Sequence, residues 1–292
     1  MDNFADRLVE VIRKKQSCVI VGLDPRLDLI PESIRSAKSL DASSIAQILL
    51  SFNKAIIDIV ADYAVGVKPQ SAFYEQYGWW GVKSFWETCA YAREKGLITI
   101  ADVKRGDVPS TAEAYAKAYL EPKDIDAITV NPFLGSDSIQ PFVKVAKENG
   151  KGIFILVKTS NAGSKDFQDK ILNDGKKFYT FLAGQVALWG KELVGKSSYS
   201  SLGAVVGATF PEESRALRSL MPEQFFLVPG YGAQGGKAED IKASFNKDGL
   251  GAVINASRSV IHAYQDPNRK DWKDAVRDAV MKMKQDIQNH IR

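Results

Sequence analysis

The 292-residue chain has little of the chemistry that several common classes of enzyme require. Its only histidines, His262 and His290, both lie in segments predicted to be helical. No HxH or HExxH sequence occurs, and acids and histidines are not clustered at ligand spacing, so the sequence demands no metal. No histidine follows a predicted strand, and no Ser-His-Asp arrangement is found. Acid–base chemistry must therefore come from lysines and carboxylates.

Cysteine is equally scarce, and the two present, Cys18 and Cys89, have neither the number nor the spacing of a disulfide framework or a zinc site. Both lie in apolar or aromatic surroundings and are interpreted as small buried residues. No apolar run approaches the roughly 18 residues of a membrane span. Residues 1–15 carry acids and lack the apolar core of a signal peptide. We expect a soluble cytoplasmic protein without a membrane partner.

A strong net charge is also absent. The formal charge is +4, and lysines and arginines alternate with acids instead of forming basic blocks. This pattern does not favour a nucleic-acid partner. It is compatible with a small anionic substrate.

The sequence does contain a repeated strand-then-helix pattern. Eight short apolar segments, each followed by a predicted helix, begin near residues 18, 64, 97, 127, 152, 202, 225 and 251. Helical crossovers between such strands give a parallel sheet, and eight units fit a closed barrel. We predict an α/β fold in which residues 1–292 form a single (β/α)8 TIM barrel with additional N- and C-terminal helices, Phe4–Lys15 and Trp272–Ile291. The alternative is an open doubly wound sheet, but the turn after its first strand would read GxGxxG and here reads GLDPRLD.

Two helix starts are predicted from capping residues. Ser43 or Ser44 is expected to cap the long helix after the first strand, and Asp137 the helix after the fourth strand.

Charge is concentrated where the third strand ends, within Leu97–Ala116. Asp102 and Lys104 are two residues apart and should lie on the same side of the strand, with Asp107 on the following loop. A solvated salt bridge here would contribute only about 0–1 kcal/mol to stability, which is a weak reason for such crowding. A surface charge cluster at a strand-to-helix turn nevertheless explains this stretch equally well by itself.

Polar residues also follow several other strands, and active sites of barrels form at these C-terminal strand ends. They include Asp24 after the first strand, Lys68 after the second and Lys158 to Asn161 after the fifth. So many polar residues at equivalent positions are hard to explain by stability. We expect them to converge on one rim.

The seventh and eighth strand ends have the character of a phosphate site. The segment PGYGAQGG, residues 229–236, allows close backbone approach, and this region of a barrel often binds phosphate. Arg258 can bind phosphate with two parallel hydrogen bonds, and Gln234 can add a neutral donor. The alternative is a simple glycine turn, with Arg258 paired to an acid.

Together the motifs resemble those of the orotidine 5′-phosphate decarboxylase family. They are ADVKRGD at residues 101–107, PGYGAQGG at 229–236, and Arg258. FYEQYG at residues 73–78 and KTSN at 158–161 resemble the longer bacterial branch of the family. The pattern Asp-x-Lys-x-x-Asp alone is shared with sugar-phosphate relatives. The three motifs together, in this order along the chain, are strongly specific for the family. The resemblance covers about residues 22–263.

The resemblance implies decarboxylation of orotidine 5′-monophosphate to UMP in pyrimidine biosynthesis by a cofactor-free, metal-free homodimer. It assigns Lys104 as the proton donor to C6 of the pyrimidine and places Asp102 beside the substrate carboxylate. Asp107 of the neighbouring subunit would complete an Asp-Lys-Asp-Lys array with Lys68.

The resemblance also implies the binding residues. Asp24 and Lys68 would bind ribose hydroxyls, and Thr111 would reach the ribose across the dimer interface. Ser160 would hydrogen-bond the pyrimidine edge, while Gln234 and Arg258 would hold the phosphate. Tyr231 departs from the small apolar residue of many relatives, and the terminal helices receive no role.

Two other functions stay open at this point. One is a sugar-phosphate decarboxylase or aldolase on the same barrel, whose relatives typically need Mg²⁺ and further acids. The other is a non-catalytic nucleotide-binding protein, against which the intact Asp102, Lys104 and Asp107 argue.

Overall fold

Eight parallel strands close into a barrel in which each strand pairs with the next along the chain and the last pairs with the first. The computed structural model describes residues 2–35, 40–208, 211–232, 238–266 and 271–291. The strands are β1 Val19–Leu23, β2 Gly66–Pro69, β3 Ile98–Arg105, β4 Ala127–Val130, β5 Gly152–Lys158, β6 Ser200–Val206, β7 Gln224–Pro229 and β8 Ala252–Ala256. The predicted barrel is confirmed, and the open sheet is not formed.

Helices follow the strands and surround them. They are α1 Phe4–Lys15, α2 Glu32–Arg35, α3 Ala42–Val60, α4 Ala72–Glu75, α5 Gly78–Glu94, α6 Pro109–Leu120, α7 Ser136–Asn149, α8 Phe178–Gly190, α9 Pro211–Leu220, α10 Ala238–Ile241, α11 Arg258–Ile261 and α12 Trp272–Ile291. Short 3-10 helices span Leu27–Leu29, Ala162–Asp166, Lys191–Leu193, Lys242–Ser244 and Ala263–Gln265. Both predicted terminal helices, α1 and α12, have the expected bounds.

The strands are apolar because both of their faces are buried. Successive side chains of β1 belong to different hydrophobic clusters: Val19 and Val21 pack with the surrounding helices, whereas Ile20 packs with Ile98 and Leu227. This is the alternation expected when one face of a strand fills the barrel and the other meets the helix layer.

Helix α1 closes the end of the barrel opposite the polar strand ends. Asn3 caps it by accepting hydrogen bonds from the backbone N–H groups of Ala5 and Asp6. Its Phe4 ring meets the Phe154 ring edge-on at 6.0 Å, and Leu8 is fully buried in the same inner cluster. The N-terminal helix therefore completes the inner core, a role that the sequence alone did not assign.

The two predicted caps are wrong. Helix α3 begins at Ala42, before both serines, and Asp41 caps it: the Asp41 carboxylate accepts from the Ser44 backbone N–H at 2.9 Å. Helix α7 follows Gly135 as its N-cap residue, and Asp137 lies in its first turn.

The expectation that no apolar run approaches the length of a membrane span is wrong: among the described residues one helix, α3, is long and apolar enough to cross a membrane. In this structure 56% of its apolar window is buried, and Phe52 and Ile56 are fully enclosed. We interpret α3 as a core helix of the barrel. Cys18 and Cys89 are buried free cysteines, as predicted.

Candidate active site

A charged cluster at the barrel mouth joins β2 to β3. The Lys68 ammonium donates to one carboxylate oxygen of Asp102 at 2.7 Å, and the Lys104 ammonium donates to the other at 2.6 Å. The side chains of Lys68 and Asp102 are 6% and 9% exposed, whereas that of Lys104 is 46% exposed. One buried carboxylate thus holds two ammonium groups, of which only that of Lys104 extends into open space.

A bulge in β3 positions Lys104. The strand register shifts between Ala101 and Arg105, and Lys104 has a φ of 44°, which is uncommon for a residue other than glycine. The backbone N–H of Lys104 donates to the Thr129 hydroxyl at 2.9 Å, which stabilises this conformation. The prediction that Asp102 and Lys104 lie close together is confirmed. A bulge in the strand, and not regular alternation, brings the two side chains together.

Two residues of this cluster were missed in the sequence. Gln70 donates its side-chain amide to Asp102 at 2.9 Å, and the Thr129 hydroxyl donates to the same carboxylate at 2.9 Å. Each oxygen of Asp102 therefore accepts two hydrogen bonds. Gln70 lies two residues after Lys68, so strand alternation could have revealed it, whereas Thr129 is indistinguishable from an ordinary β-branched strand residue.

The electrostatics of the cluster keep its groups charged. Burial alone would raise the pKa of Asp102, but the Lys68 and Lys104 ammonium groups outweigh burial and hold that pKa well below its usual range. Burial alone would likewise lower the pKa of Lys68, but the carboxylates of Asp102 and Asp24 raise it. The Asp102 carboxylate and the Lys68 ammonium therefore stabilise each other's charge.

A cavity of about 370 Å³ lies over this cluster, at the small end of the usual size for ligand sites. Four predicted site residues meet there: Lys68, Asp102, Lys104 and Ser160. Its other lining residues are Thr129, Leu156, Thr159, Asn161, Val205, Leu227 and Pro229. The cavity thus combines a charged wall with apolar surface.

Asp24 follows β1 and lies near the same cluster, since its charge contributes to the raised pKa of Lys68. One of its carboxylate oxygens is buried and has no hydrogen-bond partner among the described residues. Buried polar atoms are normally paired, so this oxygen is an unsatisfied acceptor next to the cluster, although Asp24 is not among the residues that line the cavity.

Asp107 and Thr111 are not among the residues that line the cavity of their own chain. Asp107 lies just beyond β3, and its carboxylate accepts from the backbone N–H of Val108 at 2.8 Å. Thr111 lies in the first turn of α6. Three apolar side chains near this rim are exposed, at 51% for Val108, 83% for Phe133 and 43% for Leu134.

The predicted phosphate residues are only partly described. Arg258 is the first residue of α11, directly after β8, and its side chain is exposed. Gln234 lies outside the described residues. Before it, Gly230 and Gly232 have φ values of 101° and 73°, which glycine adopts without strain. The Tyr231 hydroxyl donates to Asp286 of α12, so the bulky residue joins this segment to the C-terminal helix.

The histidines take no part in this cluster. His262 is buried, stacks on Phe52 and bonds the Tyr264 hydroxyl, and its burial lowers the pKa to about 4. His290 lies on α12, as predicted. Within the described ranges, no three His, Cys, Asp or Glu side chains are grouped to hold a metal ion.

The fold and the cluster define a (β/α)8-barrel enzyme with its site at the C-terminal ends of the strands. The model of the family described as orotidine 5′-phosphate decarboxylase / HUMPS matches residues 19–271. The chain belongs to this family.

Similar proteins extend over nearly the whole chain. An orotidine 5′-phosphate decarboxylase of Caldicellulosiruptor bescii is 42% identical and covers 94% of both chains. One of Rhodopirellula baltica is 42% identical and covers 98% of this chain and 99% of its own. The structure of Leishmania donovani OMP decarboxylase is 31% identical, has a TM-score of 0.78 and covers 99% of both chains.

Proposed function

We propose that this protein decarboxylates orotidine 5′-monophosphate to UMP in pyrimidine biosynthesis. The observation that carries the proposal is the buried Asp102 carboxylate bonded to Lys68 on one oxygen and Lys104 on the other. Family membership and the names of the similar proteins support the same activity.

The chemistry requires a positive charge at a fixed position. Loss of CO₂ leaves an electron pair on C6 of the pyrimidine, in a ring that offers no convenient electron sink. The Lys104 ammonium stabilises this carbanion as it forms and then transfers a proton to C6, which gives UMP. Lys104 suits this role because its backbone is fixed by Thr129 while its side chain extends into the cavity.

Asp102 acts on both the lysine and the substrate. Its contact with the Lys104 ammonium at 2.6 Å orients the proton donor. Its carboxylate stays charged because its pKa is held low, so it repels the substrate carboxylate when both occupy the site. This repulsion favours departure of CO₂, a ground-state effect.

The other residues bind the substrate along its length. Asp24 and Lys68 take the ribose hydroxyls, Ser160 the pyrimidine edge, and Arg258 and Gln234 the phosphate. Binding the remote phosphate supplies free energy that can be used at the ring. The reaction is cofactor-free and metal-free, since the proton comes from a side chain and the electron pair stays on the substrate until it is protonated.

The active form is a homodimer in the cytoplasm, and residues 1–292 act as one barrel domain. Asp107 and Thr111 enter the partner's site, where Asp107 completes the Asp-Lys-Asp-Lys array and Thr111 reaches the ribose. One observation supports this: the apolar side chains of Val108 and Phe133 are exposed at this rim. Contiguous exposed apolar surface is typical of protein contacts.

An absorbance assay with orotidine 5′-monophosphate in excess EDTA tests the proposal. We expect rapid conversion to UMP that added Mg²⁺ does not accelerate. No conversion by the folded protein would contradict the proposal. Mg²⁺-dependent turnover of a sugar phosphate would then favour a sugar-phosphate decarboxylase or aldolase. Binding of UMP without turnover would favour a non-catalytic protein.

A further inference from the structure

The long excursion of residues 159–177, between β5 and α8, supplies part of the cavity wall. Its first three residues, Thr159, Ser160 and Asn161, all line the cavity. They lie beyond the last residue of β5, Lys158. The position of Ser160 therefore depends on how this excursion is held.

One side of Ser160 rests directly on β6 and its continuation. The Gly207 backbone N–H donates to the Lys158 carbonyl at 2.8 Å. A Cβ atom at Gly207 would lie 3.0 Å from the Cα, Cβ and backbone N atoms of Ser160. Ser160 is thus packed against backbone on this side.

On the other side, Gln168 binds the residue next to Ser160 through both ends of its amide. Its oxygen accepts from the Thr159 backbone N–H at 2.9 Å, and its nitrogen donates to the Thr159 hydroxyl at 2.8 Å. The same hydroxyl donates to the Asn161 side chain at 2.7 Å. The Gln168 side chain therefore fixes Thr159 directly and Asn161 through the Thr159 hydroxyl, and Ser160 lies between these two residues in the chain.

Gln168 is itself fixed to the barrel. Its backbone N–H donates to the Ser164 carbonyl at 2.9 Å, and its carbonyl accepts from Tyr179 of α8 at 3.0 Å. The next residue, Asp169, pairs with the Lys158 ammonium at 2.9 Å, and the Lys158 side chain is fully buried. These hydrogen bonds and this ion pair connect β5 and α8 to the residues of the cavity wall.

We propose that Gln168 is a positioning residue that holds Ser160 against the pyrimidine ring of the substrate. The inference rests on the proposed function, because it takes the pyrimidine as the group that Ser160 contacts. It predicts an effect confined to the base end of the ligand.

The test compares two ligands in Gln168→Ala. The inhibition constant of UMP against orotidine 5′-monophosphate should rise about tenfold, as expected for two lost hydrogen bonds. That of ribose 5-phosphate, which lacks the base, should stay unchanged. Asn173→Ala removes an amide from the exposed tip of the same excursion and should change neither constant.

The milder variant Gln168→Glu keeps the inference testable if Gln168→Ala is poorly folded. Gln168→Glu retains an acceptor for the Thr159 N–H and should give an intermediate inhibition constant for UMP. In a Ser160→Ala background, Gln168→Ala should add little, because the two changes act through one contact. Asp169 is less suitable, since its loss leaves the buried Lys158 ammonium without that carboxylate.

Equal weakening of UMP and ribose 5-phosphate by Gln168→Ala would overturn the inference. A full tenfold rise in the inhibition constant of UMP when Gln168→Ala is added to Ser160→Ala would also overturn it. Absence of turnover by the wild-type protein would instead contradict the proposed function, before any variant is compared.

Discussion

Lys68 and Asp102 form an ion pair of 2.7 Å in which both side chains are more than nine-tenths buried. Because the pair lies at the mouth of a rigid barrel, neither partner can escape into water. The carboxylate also binds the half-exposed Lys104 at 2.6 Å. The two lysines bonded to this carboxylate therefore differ in environment: the Lys68 side chain is buried, whereas that of Lys104 is half exposed.

Asp102→Asn should lower the free energy of unfolding by about 3 kcal/mol, since it leaves the buried Lys68 ammonium without its closest carboxylate. Urea unfolding at pH 7 measures this change. Asp166→Asn, at an exposed position of the 3-10 helix after β5, should change it by less than about 0.5 kcal/mol. An Asp102→Asn protein as stable as the wild type would show that desolvation cancels the attraction.

Mixing two inactive variants should restore activity if Asp107 enters the partner's site. A heterodimer of Lys104→Ala and Asp107→Ala chains contains one site with both native residues. Random pairing of two-fold dimers should therefore recover about a quarter of wild-type turnover. The measurement is turnover after the chains are unfolded together and refolded. No recovery in a mixture shown to contain heterodimers would place Asp107 in the site of its own chain.

Stability should fall with acidification through the neutral-to-acid range because His262 is buried. Its pKa is lowered from 6.5 to about 4 by burial, so the unfolded chain binds a proton that the folded chain excludes. Its contribution is full above pH 6.5 and is lost as the pH falls towards 4, by up to about 3 kcal/mol.

Urea unfolding of wild type and His262→Gln at several pH values tests this linkage. The wild-type curve should decline more steeply than that of the variant between pH 6.5 and 4. If the unfolding free energies of the two proteins fell in parallel over this range, the decline would come from groups other than His262, and the prediction would be contradicted.

The inner core should depend on α1. Leu8→Ala removes a fully buried side chain from the cluster inside the barrel and should cost about 3 kcal/mol in unfolding free energy. Leu188→Ala, at a position that is 54% exposed, should cost well under 1 kcal/mol. Equal losses in the two variants would mean that α1 contributes no more than a surface helix.

The architecture could be predicted because each strand carries its own local signal. Apolar runs such as Val19–Leu23 are buried on both faces, and the alternation with helices leaves little choice of topology. The start of α6 at Pro109 also has a local signal in the sequence, since proline suits the first turn of a helix. The capping residue of α3 could not be predicted, because Asp41 and Ser44 compete within one short polar segment and only the backbone geometry decides between them.

The site was less accessible from sequence than the fold. Lys68, Asp102, Lys104 and Ser160 could be placed on one rim because strand ends converge there. Gln168 could not, since its partner Thr159 is nine residues away across an irregular excursion with no period. The positive φ of Lys104 could not be predicted either, because a lysine in the sequence does not indicate a β-bulge.

The rate of orotidine 5′-monophosphate decarboxylation by Lys104→Ala tests the central claim most directly. We predict a loss of turnover of at least about 10³-fold, because one group supplies both the stabilising charge and the proton. The unfolding midpoint should stay near that of the wild type, since the Lys104 side chain is half exposed. Lys117→Ala, on the exposed face of α6, should leave the rate unchanged. A folded Lys104→Ala protein that works within tenfold of the wild-type rate would contradict the account.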